Sequence, residues 1–136
     1  MADSELGPFV KGSVQDFVQG LPKAEVHLHL EGCIPTELVS VAAARSGVCP
    51  PVETVGGCPQ VSNLADLLSY LDFSCGLVAS GEEMEQIAYS TAARLSRSGA
   101  GHGDVIFNPS HWPQWKDRLH LMLGALEAGA ESAEAD

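Results

Sequence analysis

The segment that most constrains this 136-residue chain is Ala24-Glu25-Val26-His27-Leu28-His29-Leu30, entered through Leu21-Pro22-Lys23 and closed by Gly32. Apolar and polar side chains alternate along it, which is the period of a β-strand. That period sets Val26, Leu28 and Leu30 on one face and His27 and His29 on the other. Two imidazoles at i and i+2 then project the same way, roughly 6–7 Å apart along the strand. Their ring nitrogens can converge on one ion at Zn–N distances of ~2.0–2.1 Å. Taken alone, the same pattern also suits two half-buried histidines hydrogen-bonded to their neighbours.

A second strand is predicted at Asp104-Val105-Ile106-Phe107, stopped by Asn108-Pro109. The stretches around and between the two strands carry helical signals. Ser13 can cap a short helix over residues 14–19 that Gly20 stops. Pro35 suits the first turn of a helix over residues 36–45, with Leu38, Val39 and Ala42 at helical spacing and Gly47 as its stop. A further helix is expected over residues 64–73, with Leu64, Leu67, Leu68 and Leu71 on one face. Ser80-Gly81-Glu82-Glu83 is a capping-box pattern opening a helix through Met84, Ile87, Ala88, Thr91, Ala92 and Leu95. Arg94 and Arg97 fall near its C-terminus, where the helix dipole favours positive charge. A last helix from about residue 116 shows Leu119, Met122, Leu123 and Leu126 as its stripe. Residues 1–12 read as a loose leader, residues 48–62 as an irregular connection, and Trp112, Pro113 and Trp115 as an aromatic loop.

The order is strand, several helices, strand, helix, which indicates an α/β fold with parallel pairing through crossover connections. Parallel sheets need both faces covered, and two short strands cannot supply that. The chain therefore reads as part of a larger α/β unit.

Charge narrows the function classes. Eighteen acidic against seven basic side chains leave a formal charge of −11. Such a chain repels phosphate backbones and anionic membrane surfaces, so neither nucleic acid nor membrane is expected as a partner. No apolar run approaches the ~20 residues that span a bilayer. Cys33, Cys49, Cys58 and Cys75 form no C-x-x-C pair, and the acidic start Met1-Ala2-Asp3-Ser4-Glu5 has no secretory character. Reduced thiols in the cytoplasm are the expected state. His102, His111 and His120 are isolated and read as surface or capping residues.

Twelve consecutive residues, Leu21-Pro22-Lys23-Ala24-Glu25-Val26-His27-Leu28-His29-Leu30-Glu31-Gly32, resemble the opening signature of the adenosine deaminase family. The likeness continues through residues 63–72, residues 80–89 with Ile87-Ala88-Tyr89, and residues 104–109, so that it spans about residues 20–126. Gly101-His102-Gly103 departs from it, and glycine there weakens the strand.

The resemblance implies a (β/α)8 barrel, of which residues 21–136 would be the N-terminal part and residues 1–20 a leader with a short helix. A whole barrel takes ~250 residues, so the resemblance implies further sequence. His27 and His29 carry over as zinc ligands. Glu31 stands where the nucleoside deaminases usually have an aspartate that contacts ribose and where the free-base adenine deaminases tend to have glutamate. His29, Glu31, Leu67, Leu68 and Leu71 carry over as substrate-binding residues, the leucines as the helix that roofs the purine pocket. A further zinc histidine, a zinc aspartate, the glutamate that protonates the purine ring and the water-activating histidine belong to later strands, so no catalytic residue is assigned here.

The implied reaction is zinc-dependent hydrolytic deamination of adenosine to inosine with release of ammonia. The alternatives are adenine as substrate, a catalytically inactive fragment, or a small metal-binding module. The implied partner is a purine nucleoside or base, and no oligomeric state is implied.

Overall fold

The computed structural model describes residues 13–135; the leader expected over residues 1–12 lies outside the described residues. In chain order the elements are α1 (Val14–Gly20), β1 (Lys23–His29), α2 (Thr36–Ser46), the strand pair β2 (Thr54–Val55) and β3 (Cys58–Pro59), α3 (Leu64–Leu77), α4 (Gly81–Arg97), β4 (Ala100–Ile106) and α5 (Leu119–Ala135). Short 3-10 turns lie at Leu30–Gly32, Pro109–His111 and Pro113–Arg118.

Local chemistry sets most helix ends. Ser13 and Asp16 form a capping box on α1, and Ser80 and Glu83 form the expected one on α4. Gly47 ends α2 in the left-handed conformation, as its position predicts. Lys23 turns back from the start of β1 to donate its ammonium to the carbonyls of Val18 and Gln19 at the end of α1. That contact gives the Leu-Pro-Lys entry a structural task besides starting the strand.

β1 and β4 pair in parallel, with Lys23 opposite Ala100 and His29 opposite Ile106. The observed β4 starts at Ala100 rather than at Asp104, so Gly101 and Gly103 lie inside it. Close packing explains the glycine. A Cβ at Gly103 would stand 2.5 Å from Cδ1 of Leu95 on α4, so the residue that weakens the strand also lets the helix lie directly on it. Val26 and Val105 stay exposed, as expected for a two-stranded sheet that cannot bury both faces.

Two further elements differ from expectation. The connection over residues 48–62 contains an antiparallel hairpin, β2 with β3, in which Thr54 faces Pro59 and Val55 faces Cys58. Its two-residue turn, Gly56-Gly57, has φ of 59° and 83°, the positive-φ pair that tight hairpins require. Helix α3 runs on to Leu77, and its buried residues are Tyr70, Ser74, Cys75 and Leu77. The leucine stripe lies roughly a quarter-turn round the helix from that face, with Leu64 67 % exposed.

The core is built where α2, α3, α4 and α5 meet the ends of the strands. Its largest fully buried side chains include Trp112, Trp115, Leu30, Met84, Ile87 and Met122. The residues expected as an aromatic loop are therefore anchors, held by two successive 3-10 turns. The Trp115 indole N–H donates to the Val78 carbonyl at 2.9 Å, so its one polar group is satisfied on burial. Among the described residues no helix is long and apolar enough to cross a membrane.

Candidate metal centre at the strand ends

His27 and His29 project from the C-terminal end of β1, and their rings meet. Nε2 of one lies 3.2 Å from Nε2 of the other, with ring centroids 5.1 Å apart. Both side chains are exposed at the C-terminal end of the strand. Two nitrogens bound tetrahedrally to one zinc at ~2.05 Å are separated by about 3.3 Å. The strand period thus brings the pair to the spacing that a shared ion needs, and the donor set fits zinc. Among the described residues no group of three or more histidine, cysteine, aspartate and glutamate side chains is placed to hold a metal.

Glu31 follows in the 3-10 turn Leu30–Gly32 and is 3 % exposed. Its Oε1 accepts the Asn108 backbone N–H at 2.6 Å and the Trp112 indole N–H at 2.9 Å. Its Oε2 lies 3.5 Å from His29 Nδ1. Burial pushes this carboxyl up, but the Asn108 and Trp112 donors, its own backbone N–H and the nearby His111 outweigh it and hold the group below the usual glutamate range. The carboxylate therefore joins the turn after β1 to the turn after β4.

Helix α3 packs against both of these turns. His111 ties it down, its Nδ1 standing 2.5 Å from Asp72 Oδ1. Leu67 and Leu68 remain exposed and Leu71 is half-buried, so this part of the stripe is available at the surface of the helix. His27, His29 and Glu31 form one cluster, whereas the three leucines belong to a separate element. His102 pairs with Asp104 at 2.9 Å in an exposed contact.

Asn108, Trp112, His111 and Asp72 complete the surroundings of the site and were not picked out from sequence. The available signal was the need of a buried indole for an acceptor. The cysteines are all free. Burial pushes the thiols of Cys33 and Cys75 up, which disfavours the reactive thiolate at both.

Similarity to known proteins agrees with this arrangement. The family model described as "Adenosine deaminase" matches residues 22–136. Adenine deaminase of Caulobacter vibrioides is 30 % identical over 137 residues, covering 98 % of this chain and 39 % of that protein. Adenine deaminase of Kluyveromyces lactis is 34 % identical over 130 residues, covering 90 % of this chain and 37 % of that protein. The chain thus spans under two fifths of the length of these curated relatives. The crystal structure of adenine deaminase from Arthrobacter aurescens superposes with a TM-score of 0.57 at 21 % identity, over 84 % of this chain and 35 % of that one. The α/β fold is accordingly a portion of a (β/α)8 barrel, with its parallel strands β1 and β4 adjacent. With the H-x-H pair at the end of a parallel strand and a family match over nearly all of its described length, this chain belongs to the adenosine deaminase family.

Proposed function

We propose that His27 and His29 are two zinc ligands of a hydrolytic purine deaminase whose substrate is the free base adenine. The observation that carries the reading is the 3.2 Å Nε2–Nε2 separation at the end of β1. Zinc held there would lower the pKa of water and supply a nucleophile near neutral pH. This chain's own residues bind and orient: the imidazoles offer lone pairs, and Leu67, Leu68 and Leu71 offer an apolar wall for a purine. The remaining ligands and the ring-protonating glutamate, implied by family resemblance, would come from barrel strands beyond β1 and β4.

Two observations favour the free base over the nucleoside. The relatives matched above are named adenine deaminases. In addition, Glu31 Oε1 is taken by the Asn108 and Trp112 donors and Oε2 is buried behind His29, which leaves no exposed acceptor there for a ribose hydroxyl. The four free cysteines support a reducing, cytoplasmic setting.

The test has two arms. Zinc titration of the 136-residue chain is expected to show binding that falls on His27→Ala and on His29→Ala. Binding unchanged by both substitutions would overturn the ligand assignment. Ammonia release by the endogenous product that carries residues 21–32 is expected from adenine in preference to adenosine. Faster release from adenosine would return the substrate to the nucleoside.

A further inference from the structure

We propose that Glu31 is a positioning residue for His29, its buried carboxylate holding the imidazole as the Nδ1–H tautomer so that the Nε2 lone pair faces the metal position. This deepens the function proposed above and rests on it only for the identity of what Nε2 binds.

The geometry of the two carboxylate oxygens carries the argument. Oε1 is occupied by two donors, the Asn108 N–H and the Trp112 indole N–H. Those bonds hold the side chain as an acceptor and fix its orientation. Oε2 is buried and has no hydrogen-bond partner of its own. The polar group it faces is Nδ1 of His29 at 3.5 Å. A bare ring nitrogen at that point would set a second acceptor against Oε2, which is buried and for which an unmet bond is costly. A proton on Nδ1 removes the conflict, and a small rotation of the exposed imidazole shortens the contact to hydrogen-bond length.

Placing that proton determines the rest of the ring. Neutral imidazole carries one N–H, so Nε2 of His29 keeps its lone pair. The 3.2 Å contact with His27 then makes His27 the donor through its own Nε2–H in the metal-free chain. For both Nε2 atoms to offer lone pairs to an ion, only His27 would change tautomer, its Nε2 proton passing to water while its Nδ1 takes one up from water. His29 needs no rearrangement. The same carboxylate spans from the turn after β1 to Asn108 after β4, so the ligand that it orients is also referenced to the neighbouring strand.

Long-range nitrogen–proton NMR of the metal-free 136-residue chain, labelled at histidine, reads the tautomers directly. His29 is expected to be protonated on Nδ1 and His27 on Nε2. In Glu31→Gln the amide carbonyl can keep the Asn108 and Trp112 bonds while the NH2 replaces Oε2 opposite Nδ1. That substitution is expected to move the His29 proton to Nε2 and to weaken zinc binding about 10–100-fold. A His29 proton on Nε2 in the unsubstituted chain overturns the proposal, and this arm needs no variant to fold. An unchanged tautomer or unchanged zinc affinity in folded Glu31→Gln overturns it as well. Tautomers as expected, with zinc uptake indifferent to His27→Ala, leave the positioning role standing and remove the metal reading instead.

Discussion

Two glycines on α5 give opposite expectations for the same substitution. Gly129 is buried where α5 crosses α4. A Cβ there would collide with the backbone carbonyl of Glu85 and stand 2.9 Å from the Cβ of Ala88. Gly124, five positions earlier on the same helix, has open space around the same added atom. Alanine is favoured over glycine in a helix interior by about 1 kcal/mol, so Gly124→Ala is expected to stabilise by about that amount. For a chain of this size the gain corresponds to a rise in Tm of about 3–5 °C. Gly129→Ala earns the same intrinsic preference but meets a main-chain atom, which cannot rotate aside as a side chain can. Overpacking costs typically 1–3 kcal/mol and occasionally more, and an obstruction by backbone falls at the upper end. A net loss of about 1–2 kcal/mol follows, or a Tm lowered by roughly 3–10 °C. Thermal unfolding followed by circular dichroism at 222 nm separates the two signs. Equal stabilisation by both substitutions would refute the close crossing of α4 and α5, and with it the way in which α4 is pressed onto β4.

Three other groups yield expectations. Burial pushes Glu83 up, yet donors from Arg45, Ala79 and Ser80 outweigh it and hold the carboxyl below its ordinary value of 4.5. Its folded-state pKa is thus depressed. The stability it contributes is present above that ordinary value and is lost as pH falls through the folded value. Glu83→Gln is expected to cost about 1–2 kcal/mol at pH 7 and to flatten the acid side of a urea-unfolding series. Trp112→Phe removes the indole N–H from the buried Glu31 carboxylate and leaves a void in the core. A loss of about 2–4 kcal/mol is expected in the same assay. His111→Ala frees α3 from its Asp72 contact and is expected to raise amide exchange across the C-terminal half of that helix, with α4 unchanged.

The features read correctly from sequence are those whose causes are local. The H-x-H pair needs only the strand period to share a face, and the Ser80–Glu83 box closes over three residues. Gly47 stops α2 through its own left-handed backbone. The Gly56-Gly57 turn was equally local, but two-residue strands leave no alternation to detect on either side. What escaped depends on distant partners. Gly103 looked like a weakness because Leu95, whose side chain lies over the space a Cβ would take, belongs to the preceding helix. The leucines of α3 form the most regular apolar stripe of that helix, while the packed side includes a tyrosine, a serine and a cysteine. Ser74 is acceptable inside because its hydroxyl donates to the Tyr70 carbonyl at 2.8 Å, a bond that composition does not reveal.

The same division runs through the candidate site. Two imidazoles can be placed on one face of a strand two residues apart, since a single backbone period aligns them. Their chemistry cannot be completed so cheaply, because the tautomer of each imidazole depends on what its second nitrogen meets. For His29 that partner is Glu31, two residues on, but the carboxylate is itself held by Asn108 and Trp112, 77 and 81 residues away along the chain. Those partners arrive only when β4 pairs with β1 and the tryptophan turn closes over the core. A strand carrying His27 and His29 outside this fold would keep the spacing of the imidazoles and lose control of their protons. The packing of α4 against β4 and the seating of Trp112 therefore support the proposed metal centre, although neither touches the position that an ion would occupy.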